Sequence, residues 1–190
     1  MPPLQAYERR KRAKKPLDSQ ALEQLALSYV ARYATSSAKL TSYLKRKIRE
    51  RGWQEDEASP DLQALAERYV NMGYIDDAAY ARMRQDGLLR RGYGKRRVDQ
   101  ALGHAGIDED MREALAPSDA ERRHALLALA RRRRFGPFAA EPADRDRREK
   151  QLAAILRAGH SLDAARTLLD FETADAAAEW AHELDSDNED

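Results

Sequence analysis

The sequence predicts an all-α protein, a tandem array of three three-helix units. Apolar residues recur at the i, i+3, i+4, i+7 spacing of one helix face, and strand-like alternation is nearly absent. A repeat is also visible. Gly52, Gly106 and Gly159 are separated by 54 and 53 residues, and each follows an apolar residue four positions earlier, Ile48, Leu102 and Ile155. A helix stop favours glycine because the residue after the C-cap needs a positive φ. Units of this size bury their apolar faces by stacking on their neighbours, so an elongated, curved body is expected.

A basic arm over residues 1–16, expected to be disordered, precedes the first unit, 17–75. Ser19 is read as the cap of a helix carrying Leu22, Leu25, Ala26, Tyr29, Val30 and Tyr33 on one face and ending near Tyr33. A basic amphipathic helix follows, with Leu40, Leu44 and Ile48 at every fourth position and a stop at Gly52. Ser59 and Pro60 read as N-cap and first helical residue of a third helix, with Leu62, Leu65, Ala66, Tyr69 and Val70, ending at Gly73. The second unit, 76–116, repeats the pattern. Asp76 caps a helix broken by Gly92-Tyr93-Gly94, a second carries Val98 and Leu102 to Gly106, and Asp108 opens a short third. The third unit, 117–172, starts with the capping box Ser118 to Glu121. A charged, proline-containing insertion near 139–148 separates its first helix from one leading to Gly159, and Ser161 caps the next. A terminal helix and an acidic tail fill 173–190. Gly52, Gly73, Asp76, Gly94, Gly106 and Gly159 are thus assigned as structural caps and turns.

Composition sets limits on chemistry and location. The chain is 42% hydrophobic but only 7% aromatic, so its cores must be thin and rich in Leu and Ala. Without cysteine there is no disulfide framework and no thiolate ligand or nucleophile. The basic Arg9-to-Lys15 stretch is not followed by an apolar segment, and no run approaches the roughly 18 apolar residues of a membrane span, so a cytoplasmic protein without membrane contact is expected. The net charge of +1 conceals a strong asymmetry: Asp170 to Asp190 holds nine acidic residues and no Lys or Arg, while several internal segments are strongly basic.

No catalytic, cofactor-binding or metal-ligating set is expected. His104, His124, His160 and His182 are scattered without helical pairing, and each is read as structural or surface. Gly92-Tyr93-Gly94-Lys95 lacks the preceding strand of a phosphate loop, and Asp76-Asp77 is more simply an N-cap with a favourable dipole charge than a metal site. No nucleophile, base and oxyanion donors converge, so an enzyme is not expected.

Binding chemistry rests on arginine and lysine. Lys45, Arg46, Lys47, Arg49 and Arg51 in the first unit, Arg82, Arg84, Arg90, Arg91, Lys95, Arg96 and Arg97 in the second, and Arg131, Arg132, Arg133 and Arg134 in the third lie at or near junctions of first and second helices. One such cluster is ordinarily a solvated helix face. Three at repeating positions would form a basic stripe if the units stack in register, suited to a nucleic-acid backbone or an acidic groove on a protein polymer. Candidate contacts are Arg46, Lys47, Arg82, Arg90, Arg91, Lys95, Arg96, Arg97 and Arg131 to Arg134. Tyr93, beside its arginines, could stack on a base or anchor an interface, with core packing the competing role.

Two segments resemble a known family. Gly73-Tyr74-Ile75-Asp76-Asp77-Ala78-Ala79-Tyr80-Ala81 matches the Gly-aromatic-aliphatic-Asp-Asp signature of RecX, the bacterial regulator of the RecA recombinase. Arg91-Gly92-Tyr93-Gly94-Lys95-Arg96-Arg97-Val98, followed by Leu102 and Gly106-Ile107-Asp108, resembles the family's second repeat. The likeness spans about Leu17 to Asp170 and weakens in the third unit. Lys39 stands where many relatives have Glu, and the first unit has an extra helical turn before Gly52. The resemblance implies a non-enzymatic, monomeric protein that binds RecA filaments on DNA along the filament groove. Through them it would lower DNA-dependent ATP hydrolysis, strand exchange and LexA cleavage, with direct contact to single- or double-stranded DNA. The basic clusters alone also fit another reading, a stand-alone module for single-stranded DNA or RNA.

Overall fold

A computed structural model describes residues 15–185 and contains ten α-helices and one 3-10 turn. In chain order these are α1 (Ser19–Val30), α2 (Ser37–Arg51), α3 (Leu62–Asn71), α4 (Asp77–Leu89), α5 (Lys95–His104), α6 (Glu109–Ala114), α7 (Asp119–Arg133), the 3-10 turn Gly136–Phe138, α8 (Arg145–Arg157), α9 (Leu162–Asp170) and α10 (Ala174–His182). Among the described residues there is no β-strand, only an isolated parallel bridge between Leu17 and Trp53. The chain is all-α. Most of the basic arm and the end of the acidic tail lie outside the described residues.

Two compact units divide the chain, one ending at Ile75 and the other beginning at Asp76. The first is the triplet α1–α3 around Leu22, Ala26, Leu40, Leu44, Leu62, Ala66 and Tyr69. Its caps differ from the sequence reading. Asp18, not Ser19, accepts from the Ala21 N–H, because Ser19 is engaged with the Glu57 carboxylate instead. Asp61, not Ser59, caps α3, accepting from the N–H groups of Gln63 and Ala64, and Pro60 stays outside the helix. Helix α1 also stops at Val30, short of Tyr33. Gly52 has φ +84° but extended ψ, which turns the chain into the Leu17–Trp53 bridge.

The second compact unit holds the two later triplets and α10. Local capping follows the sequence closely. Asp76, Asp108, Ser118 with Glu121, and Ser161 all cap as expected. The core of α4–α6, with Tyr80, Leu88, Leu89, Val98, Leu102 and Ile107, takes Ala125 from α7 and so continues into the next layer. That layer contains Leu126, Leu127, Leu129 and Ala130 of α7, Ile155 of α8, Ala165, Leu168 and Leu169 of α9, and Ala177 and Ala181 of α10. The terminal helix is therefore part of the third core. It runs from Ala174 to His182 under a Thr173 cap. The charged segment expected as an insertion is shorter than it looked, since Asp144 caps α8 and Arg145 to Arg148 are already helical.

The two triplets interlock backbone to backbone. The Gly94 N–H donates to the Ala158 carbonyl at 3.0 Å and the Arg96 N–H to the Gly159 carbonyl at 3.2 Å. A Cβ on Gly94 would lie 2.5 Å from the Gly159 carbonyl, and one on Gly159, where φ is +98°, would lie 2.6 Å from the Arg97 nitrogen. No side chain fits either place. The contact sets the N-terminus of α5 against the C-terminus of α8, so partial charges of opposite sign meet and orphan donors find orphan acceptors. Arg96 and His160 reinforce it: the Arg96 guanidinium donates to the Leu156 carbonyl, and His160 Nε2 lies 3.0 Å from the Gly92 carbonyl.

Candidate functional site

In the first compact unit, Arg46 and Lys47 share one acid, Glu50, at 3.7 and 2.8 Å, and both approach the Tyr43 ring at 5.6 Å. Tyr43 in turn stacks on Tyr29 at 4.2 Å. Arg51 donates to the Lys15 carbonyl. This basic face is partly neutralised and partly structural.

The second-unit series separates into two groups. Lys95 pairs with Asp99 at 2.9 Å, Arg97 donates to Gln100, and Arg96 caps α8 as described. Arg96, expected in the binding stripe, thus has its head group committed to the interlock. Tyr93 is half-buried against the second core, its ring 5.9 Å from the Arg91 guanidinium, so packing accounts for it. Arg82 and Arg90 are exposed and have no ion-pair partner among the described residues, and the Arg91 guanidinium donates to the Gly87 carbonyl of α4.

The end of α4 reaches the end of α7 through Gly92, where a Cβ would lie 2.8 Å from the Leu129 nitrogen. In sequence, Arg90 and Arg91 lie just before that contact and Arg131 to Arg134 just after it, so both clusters flank the place where α4 and α7 pack. Arginines there are favoured by the negative ends of both helix dipoles. Arg131 covers the Phe138 ring at 5.6 Å, while Arg132, Arg133 and Arg134 are exposed without acidic partners among the described residues. Arg134 is the only non-glycine residue with positive φ among the described residues, at φ 55° and ψ 51°.

Beside it lies a cleft of about 270 Å³ lined by Arg133, Arg134, Phe135, Arg147, Lys150 and Gln151. Four cations, one aromatic edge and no carboxylate line it. Gln151 is buried and fixed by accepting from the Gly136 N–H at 3.1 Å. Sequence reasoning missed Arg147 because it stood in the supposed insertion, and Lys150 because it stood in the charged run just after it. Their three-residue spacing, with Gln151 one turn beyond Arg147, was the signal that they share a helix face. A concave set of cations is suited to phosphate or carboxylate groups.

His104 remains peripheral and His160 is structural, but His124 of α7 and His182 of α10 converge on Asp185. Burial pushes the His160 pKa down, and its hydrogen bond to Gly92 partly opposes that shift. The Asp185 carboxyl is held below the usual range by hydrogen bonds from His124 and His182.

Residues 76–115, covering α4 to α6, match the family model described as RecX, second three-helix domain. The regulatory protein RecX of Myxococcus xanthus (strain DK1622) is 32% identical over 161 residues, which cover 80% of this chain and 86% of that protein. The chain belongs to the RecX family. The regulatory protein RecX of Agrobacterium fabrum is 30% identical over 141 residues, covering 72% of this chain and 75% of that one. The crystal structure of RecX from Lactobacillus salivarius superposes with a TM-score of 0.60 over 80% of this chain and 96% of its own, at 18% identity, and supports the RecX fold. The matched RecX domain includes the glycine turn and helix start that dock on α8.

Proposed function

We propose that this RecX-family protein binds RecA nucleoprotein filaments and restrains their DNA-dependent ATPase, strand-exchange and coprotease activities, acting as a cytoplasmic monomer without catalysis of its own. The observation that carries the reading is the acid-free cleft lined by Arg133, Arg134, Arg147 and Lys150, with Arg90 and Arg91 next to the place where Gly92 packs on α7. A filament on DNA offers repeated phosphates and protein carboxylates, and clustered cations recognise either with charge-assisted hydrogen bonds. Arg46, Lys47, Lys95 and Arg97 are secondary contacts, since each already has an internal partner. To alter filament activity, the protein must bind one filament state more tightly than another.

The test is the single-strand-dependent ATPase rate of the cognate RecA as the protein is titrated in at fixed salt. A parallel series uses a variant with Arg90, Arg91, Arg133 and Arg134 changed to Ala. Arg96 is left intact because it belongs to the interlock. A falling rate that the variant loses by tenfold or more in potency supports the reading. An unchanged rate, with salt-sensitive binding to bare single strands that the variant loses, supports a stand-alone nucleic-acid module instead.

A further inference from the structure

We propose that His124, His182 and Asp185 form a binding site for a divalent transition metal, zinc by chemistry, that clamps the last helix onto the third core. His124 Nε2 lies 2.7 Å from one carboxylate oxygen of Asp185, and His182 Nδ1 lies 2.8 Å from the other. The two imidazoles meet edge to face with centroids 4.7 Å apart, and one donor atom from each residue fits within a 4.8 Å cluster. Ligand atoms bound to a tetrahedral zinc at about 2.0–2.1 Å are about 3.3 Å apart, so the two nitrogen–oxygen pairs would open slightly and the wider separation within the 4.8 Å cluster would close. Two imidazole nitrogens and one carboxylate oxygen are a borderline donor set, suited to zinc, nickel or copper and poorly suited to magnesium or calcium.

All three side chains reach solvent, so water can complete a fourth position. The surrounding charges leave the donors available. Arg123, the nearest cation in sequence to His124, is committed to the Trp180 carbonyl and to Glu183 and covers the Trp180 ring at 4.6 Å. The ligands come from both sides of one packing contact, since His124 stands on α7 while His182 and Asp185 end and follow α10. Ala177 and Ala181 of α10 are buried in the same core as Leu127 and Ala130 of α7. A metal there would hold α10 in place, and its binding to the folded state alone would raise stability by mass action.

The experiment uses the untagged full chain and Co²⁺, whose visible absorption is intense in tetrahedral sites, followed by displacement with Zn²⁺ and by Mg²⁺ as a control. The wild type is expected to bind one equivalent, develop the tetrahedral spectrum, and gain thermal stability with Zn²⁺ but not Mg²⁺. H124N and H182N should each weaken binding by tenfold or more and abolish the spectrum while keeping the apo protein's circular dichroism. D185N should weaken binding less. Absence of stoichiometric binding, or binding undiminished in H124N and H182N, would overturn the site and place any affinity on other histidines or the acidic tail.

Discussion

Helices α4 and α7 both end through a left-handed residue, Gly92 in one and Arg134 in the other. Both ends use the same pair of hydrogen bonds. Tyr93 and Gly92 donate back to Leu88 and Leu89, and Phe135 and Arg134 donate back to Ala130 and Arg131. At Gly92 the backbone of α7 approaches so closely that a side chain has no room. At Arg134 there is room, glycine would sit more comfortably, and the chain instead carries a guanidinium at the rim of the cationic cleft. The first end is shaped by packing. The second costs about 1 kcal/mol of backbone preference and leaves a charge at the rim of the cleft.

The sharpest way to break the comparison is at the packing end. Gly159→Ala combines a left-handed backbone with a 2.6 Å collision against Arg97, and should destabilise the second compact unit by roughly 2–5 kcal/mol in urea unfolding. Arg133→Ala with Arg134→Ala should leave the unfolding midpoint nearly unchanged yet lower filament affinity by about tenfold, since charge-assisted contacts contribute about 1.5–3 kcal/mol each before screening. Arg134→Gly should raise stability by about 0.5–1 kcal/mol, the left-handed penalty less the greater entropy of glycine in the unfolded chain.

A smaller effect concerns pH. His160 is buried and its folded pKa lies below the ordinary value of 6.5, so below that pH the unfolded chain binds more protons than the folded one. Stability of the second unit is full above about pH 6.5 and falls as the pH drops towards the folded pKa. His160→Gln retains a donor for the Gly92 carbonyl and does not titrate, so the urea midpoint should change less between pH 7.5 and 5 than in the wild type. An equal change in both proteins would locate the acid sensitivity elsewhere.

What the sequence made legible follows the range of the interactions. The caps at Asp76, Asp108, Ser118 and Ser161 were readable because donor and acceptor lie within one turn. The Asp18 and Asp61 caps were misread because neighbouring residues offered competing cap chemistry, and at Ser19 a side chain 38 residues away, Glu57, took up the hydroxyl. The repeat glycines were visible as a register, but the docking of Gly94 on Gly159 was not, since it joins two triplets. Arg147 and Lys150 were hidden by the charged run before Leu152, the first apolar residue of α8. His124 and Asp185 are 61 residues apart and meet only because α10 packs on α7.

The measurement that bears most directly on the contrast between the two helix ends is the affinity of Arg134→Gly for RecA filaments at fixed salt. Weaker binding from a more stable protein is expected, because the substitution relieves the backbone and removes a cation from the cleft in one step. Undiminished affinity would contradict it and make Arg134 an ordinary surface residue on a slightly strained turn.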